Sequence, residues 1–264
     1  ASAGAPKAAR PPRPTASAPL RKPARPAKAP AAAATTPASP AALAAAEAPG
    51  PAASTYRTRI PPPAKLRYRL SRGAIVGQGD LDWRHEAGAY TLRLEGSLPL
   101  VGTLIVQTSR GGFDAAGLAP QRYTDRRLRR SEQAANFQRE AGQVGFSGGQ
   151  PEHPLAPGMQ DRLSVMLQIA AIAAAWAEPP APGTVLSIPV VGARGDADAW
   201  ALRYQGRHSV DTPSGPVAAL HFLREPDAPH DTRAEFWLDP ARSHLPVKLR
   251  LTDGRGEPLE LLRE

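Results

Sequence analysis

Apolar and polar residues alternate along most of the chain from residue 65 onward. Leu66, Tyr68 and Leu70 alternate with Lys65, Arg67 and Arg69. Tyr90, Leu92 and Leu94 alternate with Thr91, Arg93 and Glu95, and Val247, Leu249 and Leu251 with Lys248, Arg250 and Thr252. A period of two belongs to strands with one face in a core and the other in water. Gly-containing turns separate such runs, as in His85-Glu86-Ala87-Gly88, Glu140-Ala141-Gly142 and Asp253-Gly254-Arg255-Gly256. The spacing predicts roughly a dozen strands.

One stretch breaks the alternation. Asp161 is placed as an N-cap, and Leu163, Met166, Leu167, Ala170 and Ala174 then share a helical face. Ile169, Ile172 and Trp176 flank that face, so a helix over about 161–177 is apolar around most of its girth and should be largely buried. Pro179-Pro180 ends it. The expected fold is mainly β: an antiparallel rolled sheet or barrel-like domain whose concave side the helix plugs or covers.

Charge divides the chain. Residues 1–64 hold nine Lys/Arg, one acid (Glu47) and 15 of the 31 prolines, while residues 65–264 hold 24 basic and 23 acidic residues. The net charge of +9 is therefore carried almost wholly by the first quarter. Pro, Ala and Lys/Arg bury too little apolar surface to offset the entropy of ordering. Residues 1–64 are read as a disordered, basic, proline-rich tether, and 65–264 as a single β-rich domain large enough for one core. Extended, such a tail reaches roughly 170 Å at ~3.1 Å per residue. The near-neutral domain argues against nucleic acid as the partner.

The chain has no cysteine, which excludes disulfides, thiolate catalysis and Cys–Zn sites. Its most apolar stretch, Leu163–Ala177, is too short to span a bilayer. A basic Pro/Ala tail that begins at Ala1 is expected of an exported protein with a signal or anchor upstream. The expected location is the periplasm or envelope of a Gram-negative bacterium, near a membrane. A first residue other than Cys argues against a lipid anchor at that point.

Several segments carry a family resemblance. They are Leu81-Asp82-Trp83 with Gly88-Ala89-Tyr90, Gly117-Leu118-Ala119-Pro120, Gln160-Asp161-Arg162-Leu163-Ser164-Val165, Glu235-Phe236-Trp237-Leu238-Asp239 and Leu245-Pro246-Val247-Lys248-Leu249-Arg250. In this order, over about residues 65–262, the chain resembles the bacterial family catalogued as domain of unknown function 3108, found in exported proteobacterial proteins. The resemblance implies an envelope location and a β-roll or barrel-like fold. It brings no established activity and no catalytic residue. The tail lies outside it and is similar in composition to the Pro-rich spacers of TonB-like envelope proteins.

The candidate chemistry is sparse. Gly145-Phe146-Ser147-Gly148-Gly149 matches G-x-S-x-G, but a nucleophile elbow needs a following helix, which Gln150-Pro151-Glu152-His153-Pro154 does not start. The six histidines, His85, His153, His208, His221, His230 and His244, lack metal-ligand spacing, so no metal and no cofactor are expected. Gly73, Gly77 and Gly79 have no helix after them to present to a phosphate. Arg126-Arg127-Leu128-Arg129-Arg130, with Arg122 nearby, is the densest basic cluster of the domain. It is read either as an anion site for lipid headgroups or acidic glycans, or as charge guarding an edge strand. Trp83, Trp176 and Trp237 are assigned structural roles, as is the cap Asp161.

These readings lead to a non-enzymatic envelope domain that binds an amphipathic envelope ligand (lipid or glycan) or a protein partner, held on a long tether. Two alternatives differ in class. One is an envelope enzyme acting on glycan or lipid. The other is an anionic-surface or nucleic-acid binder working through the tail.

Overall fold

The computed structural model describes residue 1 and residues 56–226, 228, 231–252, 254 and 256–264. Most of the tether, His230 and part of the last glycine turn lie outside the described residues. No helix among those described is long and apolar enough to cross a membrane.

Among the described residues fifteen strands form one sheet. They are β1 (Ala64–Arg72), β2 (Ile75–Glu86), β3 (Ala89–Leu98), β4 (Gly102–Asp114), β5 (Gly117–Arg127), β6 (Gln133–Gln138), β7 (Gln143–Phe146), β8 (His153–Pro154) and β9 (Gln160–Asp161). After the helix α1 (Ser164–Ala174) come β10 (Val185–Val191), β11 (Ala197–Thr212), β12 (Gly215–Arg224), β13 (Arg233–Asp239), β14 (Leu245–Thr252) and β15 (Pro258–Arg263). The strands beyond the expected dozen are the short β7, β8 and β9. The spatial order runs from β8 back to β1, then through β15 down to β9. Neighbours are antiparallel, except that β9 runs parallel to β10. The first and last strands pair, Tyr68 opposite Arg263 and Leu70 opposite Leu261.

The alternation read in the sequence sets the two faces. Tyr68, Leu70, Leu81, Trp83 and Leu92 point inward into one continuous core, while Lys65, Arg67, Arg69 and Asp80 stand in solvent. The enclosed space is filled by α1, whose Ser164–Ala173 are all buried. Each Leu, Ile or Val so enclosed contributes about 2 kcal/mol.

The helix is shorter than the expected 161–177. Asp161 belongs to β9, and a turn separates it from Ser164. At the other end the Ala175 N–H bonds Ile172 O at 3.0 Å, and the Trp176 N–H bonds Ala173 O at 3.3 Å. Both bonds span three residues, so the last turn tightens before Pro179.

Ordered structure also reaches back past the expected start at residue 65. Residues 56–63 cross one end of the barrel as a strap. The Tyr56 hydroxyl accepts from Ser187 N at 2.8 Å, Arg59 N donates to Ala171 O at 2.8 Å, and Trp83 Nε1 donates to Pro61 O at 2.9 Å. Pro61 of this segment is buried, while Pro62 and Pro63 face solvent.

A second, smaller core lies on the outer face of β11–β14, where Val210, Ala219 and Val247 surround Trp237. Phe236 and Leu238 point inward, so Trp237 between them points out. The His221 ring stacks on it at 4.3 Å, and Lys248 Nζ sits 5.3 Å above it.

Candidate functional site

The sheet does not close by a continuous ladder. It closes through side chains where β9 and the loop after β10 meet β5. Gln160 Nε2 donates to Leu118 O at 2.7 Å, and Arg194 reaches Asp125 at 2.9 Å. On α1, Gln168 Oε1 accepts from Leu118 N at 2.9 Å while its Nε2 donates to Ala116 O at 2.5 Å. Long polar side chains thus replace missing strand partners. Gly117 between them has φ +113, and a Cβ there would stand 2.5 Å from Gln168 Oε1.

Asp161 lies at the centre of this seam. Its Oδ1 accepts from Leu163 N at 2.8 Å and Ser164 N at 2.7 Å, capping the turn that leads into α1. Its Oδ2 accepts from Ser109 Oγ at 2.5 Å, and the Tyr90 hydroxyl lies 2.9 Å from the same Ser109 oxygen. Burial pushes the Asp161 carboxyl up to about 6 against these hydrogen bonds, and pushes the Tyr90 phenol up as well. Such perturbation marks catalytic sites when a substrate has access. Here Ser109, Asp161 and Ser164 are sealed at 0% exposure, so these polar groups satisfy one another out of contact with solvent.

The accessible concavity lies outside. A cleft of about 570 Å³ opens beside the β2–β3 turn, with Pro63, Arg84, Tyr90, Arg93 and Arg110 among its lining residues. The register sets Arg84 opposite Thr91, Thr91 opposite Arg110, and Arg110 opposite Arg122, a row across four strands. Arg84 is paired with Asp82 and holds that carboxyl below the usual range. Arg93 reaches Glu95 at 2.6 Å and does the same to it. Arg110 has no acidic partner among the described residues. The register of β4 and β5 slips by one residue between Arg110 and Gly111. A Cβ at Gly111 would stand 2.2 Å from Ala119 O, so only glycine fits there. Such bulges re-aim neighbouring side chains. Behind the cleft His85, Tyr90 and Phe113 pack around Trp83, and His85 Nε2 lies 3.1 Å from Pro61 O.

The arginine cluster read in the sequence does not converge on one point. Arg122 points outward and bonds Asn136 Oδ1 at 2.5 Å. Arg126 is exposed further along β5, and Arg127 folds back to Asp125 at 3.2 Å. The strand ends at Arg127, so the alternation stops there. Arg129, at φ +57, and Arg130 occupy the following turn. Nor is β5 a free edge, since Arg122 to Asp125 pair with β6. The cleft arginines were missed because each is a single charge in a different alternating strand, without a run to mark it. The shared turn at Ala87-Gly88 was the available signal.

The other assigned residues have structural surroundings. Trp83 is fully buried. Trp176 lies just past α1, with its ring 5.6 Å from Tyr204 and 5.8 Å from Phe222. Trp237 anchors the outer cluster and is not part of the main core. Ser147 of the G-x-S-x-G segment accepts from Ala134 N at 2.8 Å and is followed by a turn and β8, not a helix. No group of metal-ligating side chains occurs among the described residues.

A family model described as protein of unknown function (DUF3108) matches residues 67–261. The crystal structure of a beta-barrel-like protein of domain of unknown function DUF1849 from Brucella abortus is similar at 14% identity and a TM-score of 0.49. That likeness covers 77% of this chain and 98% of the other. No curated protein matches. The chain belongs to the DUF3108 family.

Proposed function

We propose that this DUF3108 member is a non-enzymatic binding module of the bacterial envelope that takes its ligand on the outside of the barrel. The observation that carries the reading is the occupied interior. With Ser164–Ala173 buried among inward side chains, α1 occupies the space in which open barrels carry a ligand. The outer cleft supplies the surface instead. Arg110 offers an uncommitted guanidinium fork for a carboxylate or phosphate, with Arg84 beside it. Pro63, Ala89 and the edge of Tyr90 offer an apolar flank. The ligand that fits is amphipathic, with its anionic group at Arg110. An envelope glycan, lipid or acidic partner segment has that character. The basic Pro/Ala tail supports a periplasmic module working at a distance from its attachment.

The test is native mass spectrometry of the whole chain recovered from a Gram-negative envelope extract. A discrete added mass is expected, lost in Arg110→Glu with far-ultraviolet circular dichroism unchanged. A clean apo mass, or an adduct indifferent to Arg110→Glu, overturns the reading.

A further inference from the structure

Among the described residues seven large apolar side chains are exposed, and six of them gather at one place, while Val185 at the start of β10 stands apart. Ile75, Val76, Leu100, Val101, Leu128 and Leu251 are all exposed. The strand directions put every one of them at the same end of the barrel, on hairpin tips of neighbouring strands. Ile75 and Val76 open β2, and Leu100 and Val101 form the β3–β4 tip. Leu128 begins the β5–β6 tip, and Leu251 nears the end of β14. The tips adjoin: a Cβ at Gly77 would stand 2.8 Å from Leu98 Cδ2. Leu100 is fully exposed at φ +65, in a turn tightened by Val101 N donating to Pro99 O at 2.8 Å. A leucine in the left-handed region and wholly in water gains nothing for the fold.

Basic residues flank the patch. Arg126, Arg129 and Arg130 stand exposed on the β5 tip, with Arg72 at the β1–β2 tip. Glu132 and Glu257 lie in the same tips, and Glu95 accepts from Thr103 Oγ1 at 3.1 Å with Arg126 near it. Apolar tips within an arginine border match the layering of a bilayer surface, in which acyl chains lie beneath anionic headgroups.

We infer that this end of the barrel docks on an anionic membrane, with Leu100 and Val101 entering the headgroup–acyl boundary and the β5-tip arginines on lipid phosphates. The surface is independent of the outer cleft, which lies toward the opposite end beside the β2–β3 turn, so either reading can fail alone. The docked domain would expose its cleft and its strap, where the tether enters, away from the lipid.

The chain has no native cysteine, so a single dye reports its own position. The whole chain is labelled with an environment-sensitive dye at Leu100→Cys or, as the control, at Ala141→Cys in the exposed turn of the far end. Vesicles contain equal parts phosphatidylglycerol and phosphatidylcholine, at physiological salt. The dye at 100 is expected to shift to the blue and to be quenched by brominated acyl chains, with the dye at 141 unmoved. Leu100→Asp with Val101→Asp is expected to weaken vesicle binding about tenfold. Equal responses at both positions would assign binding to the basic tail and overturn the inference. A dye at 100 silent toward vesicles, including one that responds only to an envelope protein, overturns it too.

Discussion

Ser109 on β4 donates to Asp161 at 2.5 Å, although the two are 52 residues apart in the chain. The contact joins the middle of the sheet to the residue that leads into α1, and it keeps a carboxyl wholly out of water.

That burial sets a pH dependence. The folded carboxyl titrates at about 6, above its ordinary 3.8, so the folded state holds its proton over a window where the unfolded chain has released it. The term therefore stabilises fully below about pH 4 and is lost as pH rises through about 6, by roughly 3 kcal/mol. Asp161→Asn removes it. The stability of the wild type minus that of Asp161→Asn, from urea melts between pH 4 and 7, should fall with rising pH. A flat difference would refute the assignment.

Glu235 behaves in the opposite sense. The His221 hydrogen bond at 3.1 Å and then Arg233 at 3.4 Å hold its carboxyl below the usual range. Its stabilisation is present above the ordinary carboxylate value and is lost as pH falls. Glu235→Gln should cost about 2 kcal/mol at neutral pH. The gap to the wild type should close on acidification below about pH 4, as read from thermal melts.

The Trp83 indole is one of several hydrogen-bond partners that hold the strap. Trp83→Phe keeps most of the ring volume but deletes the donor to Pro61 O. It should cost about 2 kcal/mol and free residues 56–63. Trypsin should then cut after Arg57 and Arg59 several-fold faster, while cutting within the sheet stays slow.

How far the sequence discloses this molecule follows from the range of each interaction. Alternation is local, so the strands around Tyr68, Tyr90 and Leu249 and the buried helix around Ile169 are legible. The seam is not, because Gln160 and Gln168 bond backbone groups, and Asp161 the Ser109 hydroxyl, far away in sequence. In one dimension Asp161 reads only as a helix cap, and nothing marks the partners of Gln160 and Gln168. The strap was hidden by its prolines. Tyr56 was the available clue, as the lone aromatic of the first 64 residues. Arg122 and Arg126 to Arg130 formed a cluster on paper, but the end of β5 disperses them. Arg84, Arg93 and Arg110 become neighbours only once the register is set.

The pairing of β1 with β15 bears on how the protein is made. A ribosome delivers β1 first and β15 last, so the first strand to emerge waits beside an open edge until Leu261 and Arg263 arrive. A chain cut short before Pro258 would leave one edge of β1 and one edge of β14 unpaired, two raw templates for intermolecular pairing. Rapid synthesis through β15, or a holding chaperone, is then a condition for yield, and truncations that remove β15 should produce aggregates instead of a slightly weakened barrel.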